Sequence, residues 1–333
     1  MKRLRVAIID TGINHNHDFF IKKGINITGK RILYINGNFI YDEKYDDCNG
    51  HGTACASVIV NLFKNIEIYC VKILDEEGKT NLKVLEEALR HLREDTLVDV
   101  ISLSVSIIDK CDLNVIKNHC DGLYNKGVYI IASLANGYMK SFPAAFQSVI
   151  GVHGKVLKTD YSYWFNKNKE IQCIMDNNPI FACGVENNDY ILFEKSNSLA
   201  CAKFTGILCQ VLSSQHNTEY NINILEEKAE KNTWNKEDIY ISERLPKRMN
   251  NMEVDNSILN KIIKIVCDYY EIENKENIYI NLYSVEVGLT NYNVYKLLCR
   301  IEDEFNIEIN LFELNRYDFL SVYSLHNIVL KYK

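Results

Sequence analysis

Proline is scarce in this 333-residue chain, with 3 in all, while Asn, Ile, Lys and Tyr abound; the bias reads as compositional drift rather than mechanism. More telling is the lack of any long hydrophobic run. No stretch approaches the ~18 uninterrupted apolar residues needed to span a bilayer. The opening "MKRLRVAIIDTG" has too few apolar residues before Asp10 to form the core of a signal peptide. A basic excess is missing as well. The net charge of -6 gives no footprint for nucleic acid. The 11 cysteines are odd in number and scattered singly, with no C-x-x-C pair, which argues against a disulfide framework or a thiolate metal site. Cys70, Cys201, Cys209, Cys267 and Cys299 lie in apolar periodic segments, as reduced thiols in a cytoplasm would. No oxygen-ligand loop of calcium spacing is visible, so no metal and no cofactor are expected.

What is present is a globular composition, 47% hydrophobic and 25% charged, in a chain long enough for a large domain and a small one. "RVAIID", "IEIYCVKIL", "VDVISLSVS", "GVYIIASLAN" and "SVIGVHG" read as buried parallel strands, rich in β-branched residues. Helical patterns over 51–64, 81–94 and 110–126 alternate with them. The expected fold is α/β, a doubly wound, mostly parallel sheet over residues 1–214. Residues 215–252 are charged and weakly periodic, read as a linker or extension. Three amphipathic segments within 253–333 predict a small helical bundle. No internal repeat is visible.

In a doubly wound sheet, chemistry gathers at the carboxyl ends of the strands. Asp10 follows "RVAII" and Asn136 follows "VYIIASLA" at two such ends. Hydrolysing a peptide bond at neutral pH needs a nucleophile, a base, a group that orients the base and donors for the oxyanion. "AIIDTGINHNHD" offers Asp10, "DDCNGHGTACASV" offers His51, "IIASLANG" offers Asn136 and "SNSLACAKFTG" offers Ser198.

With Asp10-Thr11-Gly12 and His51-Gly52-Thr53-x-x-Ala56 intact and in order, residues 4–214 resemble the subtilisin-like serine proteases. The resemblance implies that Ser198 attacks the carbonyl, His51 shuttles its proton, Asp10 orients His51, and Asn136 donates to the oxyanion. It also implies that Ser102, Leu103 and Ser104, in "SLSVS", belong to the strand whose edge binds substrate. His17 matches a structural position and is given no catalytic part. Ser196 is an alternative reactive hydroxyl, and "SNS" could simply cap a helix. Ala200 two residues on and Gly206 eight on favour Ser198. The chain departs from the family where Ser196-Asn197 replace Gly-Thr, where Ala202 replaces Pro, in "MDNNPIF" (175–181), and where "SLSVS" lacks a glycine. These changes concern how substrate fits rather than the groups that react.

The C-terminal segment resembles an acyl or peptidyl carrier domain, with Thr290-Asn291-Tyr292 where that family has Asp-Ser-Leu. Asn291 cannot be esterified, so no phosphopantetheine arm is expected and the segment keeps only a docking surface. The expectation is a cytoplasmic serine endopeptidase, acting on a restricted peptide or precursor in the manner of leader-peptide maturation. Its partners would be a peptide or protein substrate and a peptide-modifying protein docked by the bundle, with neither nucleic acid nor membrane. No room is expected before Asp10 for a folding pro-segment. A general degradative protease and a pseudoprotease peptide-binding scaffold are the alternatives.

Overall fold

The computed structural model describes residues 3–108, 112–186, 188–214, 218–244, 254–272 and 276–333. Residues 215–217 and 245–253, which hold the ends of the expected linker, lie outside that set, as do 110 and 111 at the start of the expected third helix. The chain forms two compact units. The larger comprises Met1–Asn177, Cys183–Asn188 and Lys195–Glu243; the smaller comprises Asn178–Ala182, Asp189–Glu194 and Arg244–Lys333.

In the larger unit the chain runs β1 (Leu4–Asp10), α1 (Asp18–Lys22), β2 (Asn26–Ile35), β3 (Asn38–Asp42), α2 (His51–Leu62), β4 (Ile66–Lys72) and α3 (Leu82–Glu94). It continues through β5 (Val100–Leu103), α4 (Asn114–Asn125), β6 (Tyr129–Ser133), β7 (Ile150–Lys155), β8 (Tyr163–Phe165) and β9 (Cys173–Asp176). Beyond β10 (Phe181–Cys183) and β11 (Tyr190–Leu192), which pair only with each other, come α5 (Asn197–Leu212), α6 (Thr218–Lys228) and α7 (Lys236–Tyr240).

The nine-stranded sheet has the order β3-β2-β4-β1-β5-β6-β7-β9-β8 and is parallel except for β3 and β8 at its edges. After β1 the chain lays down β2 and β3, returns to place β4 between β2 and β1, and then continues on the other side of β1 with β5. Asp10 therefore ends the strand at which the order reverses, the crevice where open α/β sheets place ligands. Strand residues alternate between two apolar layers. Ala7, Ile9, Ile101 and Leu103 pack with Leu85 and Leu89 of α3 and Ile116 and Leu123 of α4. The opposite face carries α2 and α5. Those two helices touch closely at Gly206, where an added Cβ would lie 2.6 Å from the Leu62 Cβ. The Gln210 side chain also donates to the Leu62 carbonyl at 2.8 Å.

Helices α6 and α7, within the segment 215–252, belong to the larger unit. The Tyr163 hydroxyl donates to the Leu225 carbonyl at 3.0 Å, and Trp234 and Ile239 join Trp164 in an apolar cluster. Periodicity missed these anchors because they are single aromatic and aliphatic residues in a charged stretch.

The smaller unit contains α8 (Asn256–Tyr270), α9 (Val294–Phe305) and α10 (Val322–Tyr332). Asp255 caps α8, accepting from the Ser257 and Ile258 amides at 2.8 and 3.2 Å. Phe181 and Leu192, from the β10–β11 hairpin, are buried in one apolar cluster with Ile262, Leu297 and Val329. The Leu192 amide donates to the Asn291 carbonyl at 2.9 Å and the Arg316 amide to the Pro179 carbonyl at 3.0 Å. Among the described residues no helix is long and apolar enough to cross a membrane.

Candidate active site

Two short motifs meet at the carboxyl end of β1. Asp10 is fully buried, and its Oδ1 accepts from the Thr11 amide at 2.8 Å and from His51 Nδ1 at 2.7 Å. Its Oδ2 is buried with no hydrogen-bond partner among the described residues. Gly12 has φ 118°, and a Cβ there would lie 2.6 Å from the Tyr45 carbonyl oxygen. Only glycine lets the chain leave the strand at this angle.

His51 is the first residue of α2, and the buried carboxylate of Asp47 fastens that helix start to the Asp10 turn. Asp47 Oδ1 accepts from the Thr11 hydroxyl at 2.9 Å, the Asn49 amide at 3.0 Å and the Gly50 amide at 2.9 Å. Its Oδ2 accepts from the Thr53 amide at 3.0 Å and hydroxyl at 2.6 Å. The Thr11 hydroxyl in turn accepts from the Gly52 amide at 3.0 Å. A Cβ on Gly52 would sit 2.1 Å from the Gly12 carbonyl oxygen, so the helix approaches the turn with no room to spare. The threonines of both motifs are thus cross-braces.

Burial pushes the His51 imidazole toward neutrality, but the Asp10 carboxylate outweighs it and holds its pKa well above the ordinary histidine value. With Nδ1–H donated to Asp10, Nε2 is the nitrogen left to take a proton. Cys55 lies one turn further along α2, its Sγ 3.9 Å from His51 Nδ1 and 3.8 Å from Ser104 Oγ. Burial raises the Cys55 thiol, so it stays protonated. Asp10, His51 and Cys55 have donor atoms within 4.8 Å of one another, but a cation could use all three only by breaking the Asp10–His51 bond.

Ser196 is the N-cap of α5, its hydroxyl accepting from the Leu199 amide at 3.1 Å. Ser198 is therefore in the first turn, where the helix dipole favours negative charge, and it is partly exposed. Cys201, one turn on, reaches the end of β5: its Sγ is 3.9 Å from Ser102 Oγ and 3.8 Å from the Leu103 carbonyl oxygen. Cys55 reaches Ser104 from α2, so His51 and Ser198 open neighbouring helices whose first turns face the same strand end. The Ser198 hydroxyl itself makes no hydrogen bond among the described residues.

Asn136 Oδ1 accepts from the Asn197 amide at 3.0 Å. Its Nδ2 is left pointing elsewhere as a donor, with no protein acceptor among the described residues. Asn197 is itself pinned: its Nδ2 donates to the Leu134 and Ala135 carbonyls at 3.0 and 3.3 Å, and its Oδ1 accepts from the Gly154 amide at 2.7 Å. The residues in place of Gly-Thr thus have structural duties, Ser196 as a cap and Asn197 as a clasp between α5, β6 and β7.

The expected substrate strand differs from its reading. Ser102 and Leu103 are buried, and β5 is paired on both sides, Leu103 standing against Ile9 and Ala132. Neither residue has an edge to offer. Free main chain begins at Ser104, which is partly exposed. His17 caps α1, its Nδ1 accepting from the Phe19 amide at 3.1 Å. Asp47 and Asn197 escaped the sequence reading, although Asp47 stands four residues before His51 and Asn197 directly before Ser198.

The family model described as "Subtilase family" (Peptidase_S8) matches residues 2–238. The minor extracellular protease Epr of Bacillus subtilis (strain 168) is 25% identical over 183 residues, 51% of this chain and 26% of that protein. The major intracellular serine protease of the same organism is 27% identical over 190 residues, 52% of this chain and 57% of that protein. The aligned region thus spans between a quarter and just over half of these curated relatives. Among solved structures, Sphericase superposes with a TM-score of 0.55 at 17% identity, covering 68% of this chain and 83% of that one. A cold adapted subtilisin-like serine proteinase gives 0.56 at 18%, covering 69% and 86%. At such identities the structures speak for the fold, a subtilisin-like α/β arrangement, and the match over residues 2–238 speaks for descent: the chain belongs to the subtilase family.

Proposed function

We propose that the chain is a serine endopeptidase of the subtilisin type. The observation that carries this reading is the buried Asp10–His51 contact of 2.7 Å at the head of α2. In the proposed reaction a rotation about the Ser198 side chain brings its hydroxyl to His51 Nε2, a contact that commonly tightens only when substrate is bound. His51 takes the proton as Ser198 attacks, and returns it to the leaving amine. Asp10 holds the ring in the Nδ1–H tautomer and favours its cation. Asn136 Nδ2 and the Ser198 amide receive the oxyanion; one such donor is worth ~3 kcal/mol of transition-state stabilisation.

The substrate we assign is a restricted peptide or precursor, cut in the manner of leader-peptide maturation. Support comes from the changes grouped around the nucleophile turn, Ser196 and Asn197, which alter fit and leave the reacting groups in place. A cytoplasmic setting is favoured by the cysteines, since all ten that the structure describes are free thiols. For residues 253–333 we propose a carrier-like ancestry without a prosthetic arm, as Asn291 stands where that family has its serine and its amide cannot be esterified, and a role in docking a peptide-modifying partner.

A pseudoprotease that holds peptides without cutting is the second reading, favoured by the unbonded Ser198 hydroxyl. Labelling with a fluorophosphonate decides between them. A peptidase is labelled as wild type and not as Ser198→Ala, and cleaves a peptide mixture read by mass spectrometry. Absence of label in the wild type rejects the peptidase reading. Rapid turnover of unfolded casein would instead indicate a general degradative enzyme.

A further inference from the structure

Beside Asn136, a cavity of about 350 Å³ opens between the turn after β6, the end of β7 and the residues leading into α5. It lies wholly within the larger unit. Its inner wall is Asn177 and His153, its rim Tyr138, Met139 and Tyr240, and Lys195 and Ser196 border it on the side of the nucleophile turn. Asn177 is only 4% exposed, yet its Oδ1 has no hydrogen-bond partner among the described residues. The same is true of His153 Nδ1, also buried. Two unsatisfied polar groups in one wall are costly unless something meets them.

The wall is kept by its neighbours. A Cβ on Gly154 would lie 2.5 Å from Asn177 Nδ2 and 2.9 Å from its Cβ, so only glycine lets this side chain lie against β7. The Gly154 amide is at the same time held by Asn197, which holds Asn136. The proposed oxyanion donor and the cavity wall are therefore two ends of one hydrogen-bonded strip.

The chemistry of the wall selects its guest. Burial pushes the His153 imidazole below the ordinary histidine value, so it is neutral at pH 7 and presents one donor and one acceptor nitrogen. Asn177 likewise both gives and takes. Among the described residues no carboxylate lines the space, and the one cation that does, Lys195, is solvated at the border. A cationic guest would find no counter-charge. A carboxylate would lose its water against neutral groups alone, and an apolar guest would leave both wall residues unsatisfied.

We propose that this cavity is a recognition subsite for a carboxamide side chain, glutamine or asparagine, in the residue next to the scissile bond, with Asn177 and His153 as its reading pair. The inference rests on the peptidase reading for the phrase "scissile bond", but the pocket can be tested without turnover. Full-length Ser198→Ala is immobilised and offered a mixture of decapeptides randomised at each position, and the retained peptides are sequenced by mass spectrometry. Glutamine or asparagine should be enriched at one position by about tenfold over methionine and glutamate, the effect of one or two net hydrogen bonds. Adding Asn177→Ala, or separately His153→Leu, should bring that ratio near one while circular dichroism reports a folded chain. Enrichment of glutamate or of apolar residues, or a carboxamide ratio untouched by both variants, overturns the proposal. The two readings fail separately. A wild type that is labelled by fluorophosphonate with no carboxamide enrichment keeps the peptidase and loses the subsite; an unlabelled wild type with enrichment does the reverse.

Discussion

The main-chain N–H of Asn197 donates to Asn136 Oδ1 at 3.0 Å, so the residue before Ser198 sets which end of the Asn136 amide is left as a donor. In the proposed reaction the oxyanion donor is thus oriented by the same turn that presents Ser198. Replacing Asn136 by Ala should lower kcat by roughly 100- to 1000-fold with little change in KM, since the lost contact exists only in the transition state. Asn197→Ala keeps the main-chain donor but frees the carbonyls of Leu134 and Ala135 and the Gly154 amide. That variant should lose about 1–3 kcal/mol of stability in urea unfolding, with kcat falling less than for Asn136→Ala. Equal losses of kcat would mean that the Asn197 side chain, and not only its amide, sets the donor.

Activity should die away on the acid side at an unusually high pH. In the proposed reaction His51 must be neutral to act as base, and the Asp10 charge holds its pKa well above the ordinary value. The acid limb of the fluorophosphonate labelling rate should therefore have its midpoint above about 6.5, the value of an unperturbed imidazole. Stability runs the other way. A raised folded pKa contributes stability that is fully present below the unfolded value and lost as pH rises through the folded one. Asp10→Asn should move the limb toward acid while slowing labelling by about 10⁴-fold, as the wrong tautomer is stabilised. A midpoint that stays put in Asp10→Asn would remove Asp10 as the source of the shift.

Asp10 and His51 were legible because each announces itself locally: a strand end followed by Thr-Gly, and a helix start followed by Gly-Thr and small residues. The parallel strands were legible for the same reason, being unbroken β-branched runs. The edge hairpin of β2 and β3 was not, since its residues are mostly exposed or half-buried and polar residues interrupt it. Nor were the short β8 and β9, whose apolar residues are too few to show a period. Asp47 and Asn197 stayed hidden for another reason. The contact that ties Asp47 to the Asp10 turn, from Thr11, spans 36 residues and the one between Asn197 and Asn136 spans 61, so no short window of sequence contains either pair.

Asp47 brings five hydrogen bonds from the Asp10 turn and the α2 start onto one buried carboxylate. Asp47→Ala should cost on the order of 3 kcal/mol in urea unfolding, among the larger effects a single substitution produces. Asp47→Asn keeps one acceptor and should cost less, but its amide must place two donors among groups that are themselves donors. Labelling of Ser198 should slow in both, because the brace that sets His51 against Asp10 is loosened. A loss of stability with an unchanged labelling rate would show that the brace serves only folding.

The hairpin that precedes the nucleophile turn has its own dependence. Phe181 and Leu192 are buried with the residues of α8, α9 and α10, and Leu192 is hydrogen-bonded to Asn291. Only five residues separate Leu192 from Ser198 in the chain. Ending the chain at Glu243 would strip the apolar cover from both side chains, so the shortened protein should aggregate on expression or bind a hydrophobic dye. In the full chain, Phe181→Ala should cost about 3–5 kcal/mol by leaving a cavity among those helices. Hydrogen exchange should then quicken from 178 to 194 and, through the short connection, at the Asn197 amide, with a slower labelling of Ser198. A truncated chain that stays monomeric and is labelled at the wild-type rate would show the hairpin to be self-sufficient, and the C-terminal residues would be free to serve docking alone.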